Sequence, residues 1–148
     1  MDKARRPRVL FLCTGNSCRS QMAEGWLRAL HGERFEAASA GTRPSGLNRL
    51  AAAAMAEAGV DISGHQSKHV DSLAGERFDL VVTVCDSAAE ACPTFARAGR
   101  TVHRAFDDPP ALARGAASDE EAMAGYRRVR DEIRAFVESL PAMLGGAR

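Results

Sequence analysis

The chain is poor in the features that would mark a membrane protein, a nucleic-acid binder or a multidomain assembly. Among its 148 residues no apolar run approaches the length needed to span a bilayer. Neither sign of charge prevails: 20 Lys and Arg face 19 Asp and Glu, a formal net charge of +1, so no bulk field draws nucleic acid or an anionic lipid surface. A basic recognition helix is absent as well. There are no internal repeats, long low-complexity tracts or interdomain linkers. The basic start, Lys3 to Arg8, leads into an apolar stretch too short for a signal peptide. These absences argue against a membrane protein and against a nucleic-acid partner. They point to a cytoplasmic monomer with one α/β domain over residues 8–141, flanked by a basic N-terminal tail (1–7) and a C-terminal tail (142–148).

Cysteine is scarce too, with four in the chain. Two static disulfides are disfavoured in a cytoplasmic protein, which leaves metal or redox chemistry. The cysteines fall in pairs, Cys13 with Cys18 and Cys85 with Cys92. A four-cysteine zinc site is the natural competitor, but paired zinc ligands usually have about two to four residues between them. Cys85 and Cys92 stand further apart than that.

What is present is an alternation of extended and helical patterns. Residues 8–12 read as a buried strand, and 20–30 as a helix with Met22, Trp26, Leu27 and Leu30 on one side. Residues 35–40 form a weak second strand. Leu47, Leu50, Ala51, Ala54, Met55 and Ala58 keep helical spacing, and Gly59 stops that helix. Residues 78–84 are apolar almost throughout, as a strand covered on both faces should be, and 100–106 make a shorter extended run. The last helix opens on a Ser118/Glu121 capping box, carries an apolar stripe from Met123 to Leu140 and ends at Pro141. The pattern predicts a four-stranded, mostly parallel sheet with helices on both faces. Ligands of such sheets sit beyond the carboxyl ends of the strands. Cys13, Cys85 and the Asp107-Asp108 pair should therefore face one crevice.

The segment Cys13-Thr14-Gly15-Asn16-Ser17-Cys18-Arg19-Ser20 carries the chemistry. A loop of small residues between a strand and a helix turns its N–H groups toward one ligand, at the positive end of that helix. Arg19 can grip two oxygens of a tetrahedral anion. The same field favours the thiolate of Cys13. A leaving oxygen needs a proton, and Asp108, held on a stiff Asp-Asp-Pro-Pro turn, is the acid placed to give it. Cys85 and Cys92 suggest electrons handed along thiols. Their bonding would require residues 86–92, which look helical, to loop out, because a disulfide needs Cα atoms about 4.4–6.8 Å apart.

The Cys13–Gly25 segment, together with residues 81–85, Cys92-Pro93, residues 106–109 and residues 126–133, resembles in order and spacing the arsenate reductases built on the low-molecular-weight tyrosine phosphatase fold. The resemblance implies that Cys13 attacks arsenate held by Arg19 and the loop while Asp108 protonates the departing oxygen. It implies that Cys85 then attacks Cys13, releasing arsenite, and that Cys92 takes over the disulfide for reduction by thioredoxin. No bound cofactor is implied, and phosphate or sulfate should compete as oxyanions. Ser20 would orient the cradle, and Cys18 would be a packing thiol. Some members bind potassium beside the loop, at positions matching Asn16, Glu24, Ser39 and Lys68. Lys68 stands where those members have an acid, and its ammonium is expected to replace the ion. Where some members have Trp-Gly before the phenylalanine of the acid loop, this chain has Arg104-Ala105.

The runner-up is a low-molecular-weight tyrosine phosphatase with the same cradle and acid. Such enzymes commonly carry tyrosines beside the acid loop; here Pro110 and Ala111 stand there, and the single Tyr, Tyr126, lies on the last helix. A non-catalytic oxyanion or arsenite sensor and a zinc-stabilised interaction module are the further alternatives. His65 and His69 read as polar loop residues.

Overall fold

The computed structural model describes residues 6–85 and 95–144. Strands β1 (Arg8–Cys13), β2 (Glu36–Gly41), β3 (Phe78–Thr83) and β4 (Ala98–His103) form one sheet in the order β2-β1-β3-β4. All three pairings are parallel. Helices α1 (Arg19–His31), α2 (Arg49–Glu57), α3 (Pro109–Leu112), α4 (Asp119–Glu138) and α5 (Leu140–Met143) connect and follow the strands.

Alternation along the strands divides the core in two. On β1, Val9, Phe11 and Cys13 join Met22, Trp26 and Leu27 of α1, Ala51, Ala54 and Met55 of α2, and Val129, Ile133 and Val137 of α4 in the larger cluster. Leu10 and Leu12 face the other way and pack with Phe78, Val81 and Phe95; a single 3₁₀ turn, Val70–Leu73, lies against them. The central strands β1 and β3 are buried on both faces, as the near-continuous apolar run of β3 requires, while the edge strand β4 is largely exposed.

The helix ends follow local chemistry. Asn48 caps α2 by accepting from Leu50 N and Ala51 N, and Gly59 beyond its end has the left-handed φ of 88°. Ser118 caps α4 by accepting from Glu121 N. Two boundaries differ from expectation. Helix α4 stops at Glu138, before Pro141, which instead sits in the first turn of α5, where its missing N–H costs nothing. Strand β4 begins and ends earlier than residues 100–106, because residues 104–106 leave the sheet to carry the acid loop. The expected helix over 86–92 lies outside the described residues.

The strand C-termini gather the chemistry. Cys13 ends β1 and Gly41 ends β2; Val84 N donates to Leu12 O at 2.9 Å, so the β1–β3 pairing continues to the residue before Cys85. Among the described residues no helix is long and apolar enough to cross a membrane.

Candidate functional site

The loop between β1 and α1 is shaped by what takes its carbonyls. Thr14 O accepts from Arg43 N at 2.9 Å, Gly15 O from Ser45 N at 3.0 Å, and Ser17 O from Asn48 N at 2.9 Å. Ser67 Oγ adds a bond to Gly15 O, and Gln21 Nε2 one to Asn16 O, both at 3.1 Å. These bonds tie the loop carbonyls to the segments that follow β2, to the residue before α2, and to α1. Asn16 takes a left-handed φ of 45° to make the turn. Gly41 backs the loop so closely that a Cβ there would meet Cys13 O at 2.7 Å and Asn16 N at 2.9 Å.

The pocket at the loop has a volume of about 230 Å³ and opens to the surface, and its lining includes Cys13, Cys18, Arg19, Ser45, Asp108 and Pro110. That is room for a tetrahedral oxyanion. Arg19 is buried and bridges to the acid loop: Nη1 donates to Phe106 O at 3.2 Å, and Nη2 stands 3.5 Å from Asp108 Oδ1. Asp107 points away and pairs with Arg128 of α4 at 2.9 Å. Of the two adjacent acids, Asp108 is the one at the pocket. Arg104 stacks over the Phe106 ring at 4.4 Å and so braces the acid loop from outside.

Cys13 is 3% exposed, and its Sγ lies 2.9 Å from Ser20 Oγ. Asn16 Nδ2 donates to the same Ser20 oxygen at 2.9 Å, so the hydroxyl links the loop asparagine to the sulfur. Cys18 is buried, and burial pushes its thiol well above the ordinary range; Asp108 and Cys13 add to the rise and Arg19 opposes it. Cys18 is thus held as a neutral thiol. Cys85 is fully buried in the same core cluster as Cys13 and Cys18, its Sγ 3.8 Å from Leu12 O. Cys92 lies outside the described residues.

The positions compared with a potassium site are otherwise engaged. Lys68 Nζ donates to Ser39 O at 3.1 Å and to Gln66 O at 3.2 Å. Glu24 takes Ser39 Oγ at 2.5 Å on one oxygen and Arg28 at 2.6 Å on the other. Asn16 Oδ1 accepts from Lys68 N and Gln21 Nε2. A carbonyl already carrying an ammonium and a carboxylate already paired with a guanidinium do not fit a further cation.

Sequence reasoning missed Gly41, Ser45 and Gln21. Gly41 alone had a local signal, a glycine closing a small-residue strand. The engagement of His65 with Gln21 Oε1 at 3.0 Å was not visible in its loop.

A parallel sheet whose first strand ends in a thiol, an anion-shaped loop and a buried arginine is the architecture of the low molecular weight phosphotyrosine protein phosphatases, and the model of that family matches residues 8–146. The chain belongs to this family. Its relatives are more particular: an arsenate reductase of Halalkalibacterium halodurans and one of Bacillus subtilis are each 48% identical over 84% of this chain and 88% of their own length. A solved arsenate reductase in the phosphate-binding state matches at a TM-score of 0.77 and 30% identity, covering 93% of this chain and 98% of its own.

Proposed function

We propose that this protein is a cytoplasmic arsenate reductase that uses a relay of three thiols and is regenerated by thioredoxin. The observation that carries the reading is a buried thiol outside the loop, Cys85, in the same core cluster as Cys13 and Cys18. A phosphatase has no step for it. The 48% identity to two arsenate reductases supports the same choice.

In this reading Arg19 and the loop amides hold the arsenate dianion, and the Cys13 thiolate attacks arsenic. An oxygen leaves with a proton from Asp108. The Cys85 thiolate then attacks Cys13 Sγ; the S–As bond breaks and its electron pair stays on arsenic, which leaves as arsenite. Cys92 attacks Cys85, freeing Cys13, and a dithiol of thioredoxin reduces the Cys85–Cys92 disulfide. Phosphate and sulfate compete for the cradle. A weak aryl phosphatase activity accompanies the reductase, since phosphate shares the shape and charge of arsenate, but the pocket presents Pro110 and Ser45 where an aromatic ring would need a partner.

The test is arsenate-dependent NADPH oxidation with thioredoxin and thioredoxin reductase, in the wild type and Cys92→Ser. Turnover in the wild type and its loss in the variant are the expected result. Turnover unaffected by the substitution removes Cys92 from the cycle. A wild type inactive with thioredoxin and glutaredoxin, yet hydrolysing an aryl phosphate, returns the protein to the phosphatases.

A further inference from the structure

Asn48 stands between the cradle, α2 and α4, and it is engaged with all three. Its backbone N–H donates to Ser17 O of the loop at 2.9 Å. Its side-chain oxygen accepts from Leu50 N at 2.8 Å and from Ala51 N at 2.9 Å, which caps α2. The cap fixes the amide: with Oδ1 turned to the helix, Nδ2 points the other way and donates to Tyr126 Oη of α4 at 3.1 Å. Tyr126, the single tyrosine of the chain, is 3% exposed. Burial raises its phenol above the ordinary range, Cys18 and Asp108 adding to the rise against Asn48 and Arg49, so a neutral hydroxyl meets the amide. Other ties between α2 and α4 lie further along the helices or at the surface. Arg130 Nη1 reaches Ala54 O at 2.9 Å, and the exposed pairs Arg127–Glu57 and Arg49–Asp119 stand at 2.8 and 2.9 Å. Exposed pairs of that kind contribute little.

We infer that Tyr126 is a positioning residue for the oxyanion cradle: through Asn48 it fixes the Ser17–Cys18 peptide and so aims the Cys18 N–H at the bound anion. The lever is the planarity of the trans peptide, in which the carbonyl of one residue and the N–H of the next point in opposite directions. With Ser17 O held by Asn48, the Cys18 N–H is turned away from Asn48, and both Ser17 and Cys18 line the pocket. Donors preorganised on an oxyanion act through their aim, so a peptide plane free to rock is a weaker donor. The cap alone ties Asn48 to α2. The bond to Tyr126 ties it to α4 as well, and thereby holds the peptide plane from a second element.

The inference deepens the proposed function and rests on one part of it, that the loop binds a tetrahedral oxyanion. The test therefore uses inorganic phosphate and not arsenate. Iodoacetamide alkylation of Cys13 is followed by quantifying its peptide by mass spectrometry at neutral pH, across a phosphate titration. The proteins are the wild type, Tyr126→Phe, Asn48→Ser and the double variant, each checked by thermal melting. Phenylalanine keeps the ring and removes the hydroxyl. Serine keeps a cap on α2 and the backbone N–H to Ser17, and removes Nδ2. Expected is a phosphate concentration for half-protection about two- to tenfold higher in each single variant, the worth of one hydrogen bond. The double variant should show no further rise, because both substitutions remove the same bond. A merely structural contact would lower the melting temperature and leave half-protection at the wild-type value, and that result in folded Tyr126→Phe would overturn the inference. So would effects that multiply in the double variant, since Tyr126 would then not act through Asn48. Tyr126→Phe decides alone should Asn48→Ser fail to fold. A wild type that phosphate does not protect overturns the oxyanion cradle and this inference with it. Arsenate turnover, measured separately, judges the reductase reading: its absence beside the expected shifts removes that reading and leaves the role of Tyr126 standing.

Discussion

Arg19 is asked to do two things that a simple cation cannot do together. One arm of its fork holds Phe106 O and another faces Asp108, so the guanidinium that would grip the substrate also fixes the loop that carries the acid. A lysine keeps the charge but presents a point donor on a flexible stem. Arg19→Lys should lower kcat/KM for arsenate by about 100-fold, the usual cost of a misplaced oxyanion donor, with little change in melting temperature. Steady-state kinetics beside a melting curve check it. The other residue with a distinct signature is His65. Its folded-state proton affinity is depressed by burial, whereas the unfolded chain takes up the proton near the ordinary value of 6.5. As the pH falls below that value, protons bind the unfolded state first and stability is lost. The exposed carboxylates held low by Arg127, Ser63 and Arg49, namely Glu57, Asp61 and Asp119, begin to contribute only further down, through the carboxylate range. Between about pH 7 and pH 5, then, the melting temperature should decline less steeply in His65→Asn than in the wild type. Identical slopes would show that His65 titrates alike in both states.

At the scale of elements, the cradle depends on how closely β2 ends against it. A methyl group on Gly41 has no space among the backbone atoms of Cys13, Thr14 and Asn16, and backbone cannot swing aside as a side-chain tip can. Gly41→Ala should therefore cost about 1–3 kcal/mol of stability, the range for overpacking, and should weaken protection of Cys13 from alkylation by phosphate. Denaturant unfolding and a phosphate titration measure the two effects. An unchanged phosphate affinity would mean the loop is shaped without β2. This dependence was the hard part to read from sequence. The periodicities of α1, α2 and α4 and the apolar runs of β1 and β3 are local and strong, and those elements lie where the pattern puts them. Strand β2 is only Glu-Ala-Ala-Ser-Ala-Gly, small and weakly patterned, and its registry with β1 is set by pairing, not by its own residues. The end of α4 differs from the expectation for a related reason: Ser139 already closes the helix, and Pro141 stands in the first turn of the next one, where neither its ring nor its missing N–H is a cost.

Across the whole molecule, the site is assembled by topology. Parallel strands carry Cys13, Gly41, Cys85 and the Asp108 loop toward one end of the sheet, where Cys13 and Asp108 line one pocket and Cys85 lies in the core cluster that also holds Cys13. Contacts between residues 44 to 52 apart in sequence, such as His65 to Gln21 of α1 and Lys68 to Asn16 of the cradle, followed from neither strand order nor motif, because no local pattern encodes which segment a loop crosses behind. Lys68 is the case with the clearest consequence. Its ammonium bonds Ser39 O on the outer edge of β2, its own backbone N–H bonds Asn16, and Gly41 N bonds its carbonyl, so one residue ties the sheet edge, the cradle and the 3₁₀ region together. A bound monovalent cation would have to displace that ammonium and compete with Arg28 for Glu24. Raising potassium at fixed ionic strength should therefore leave both turnover and melting temperature unchanged in the wild type. In Lys68→Asp the ammonium is gone and a carboxylate stands beside Ser39 O, and potassium should then raise the melting temperature relative to an equal concentration of a bulky organic cation. A potassium-stimulated wild type would show that the ammonium does not hold the position, and a Lys68→Asp variant indifferent to potassium would show that the pocket behind the cradle is shaped by more than this one charge.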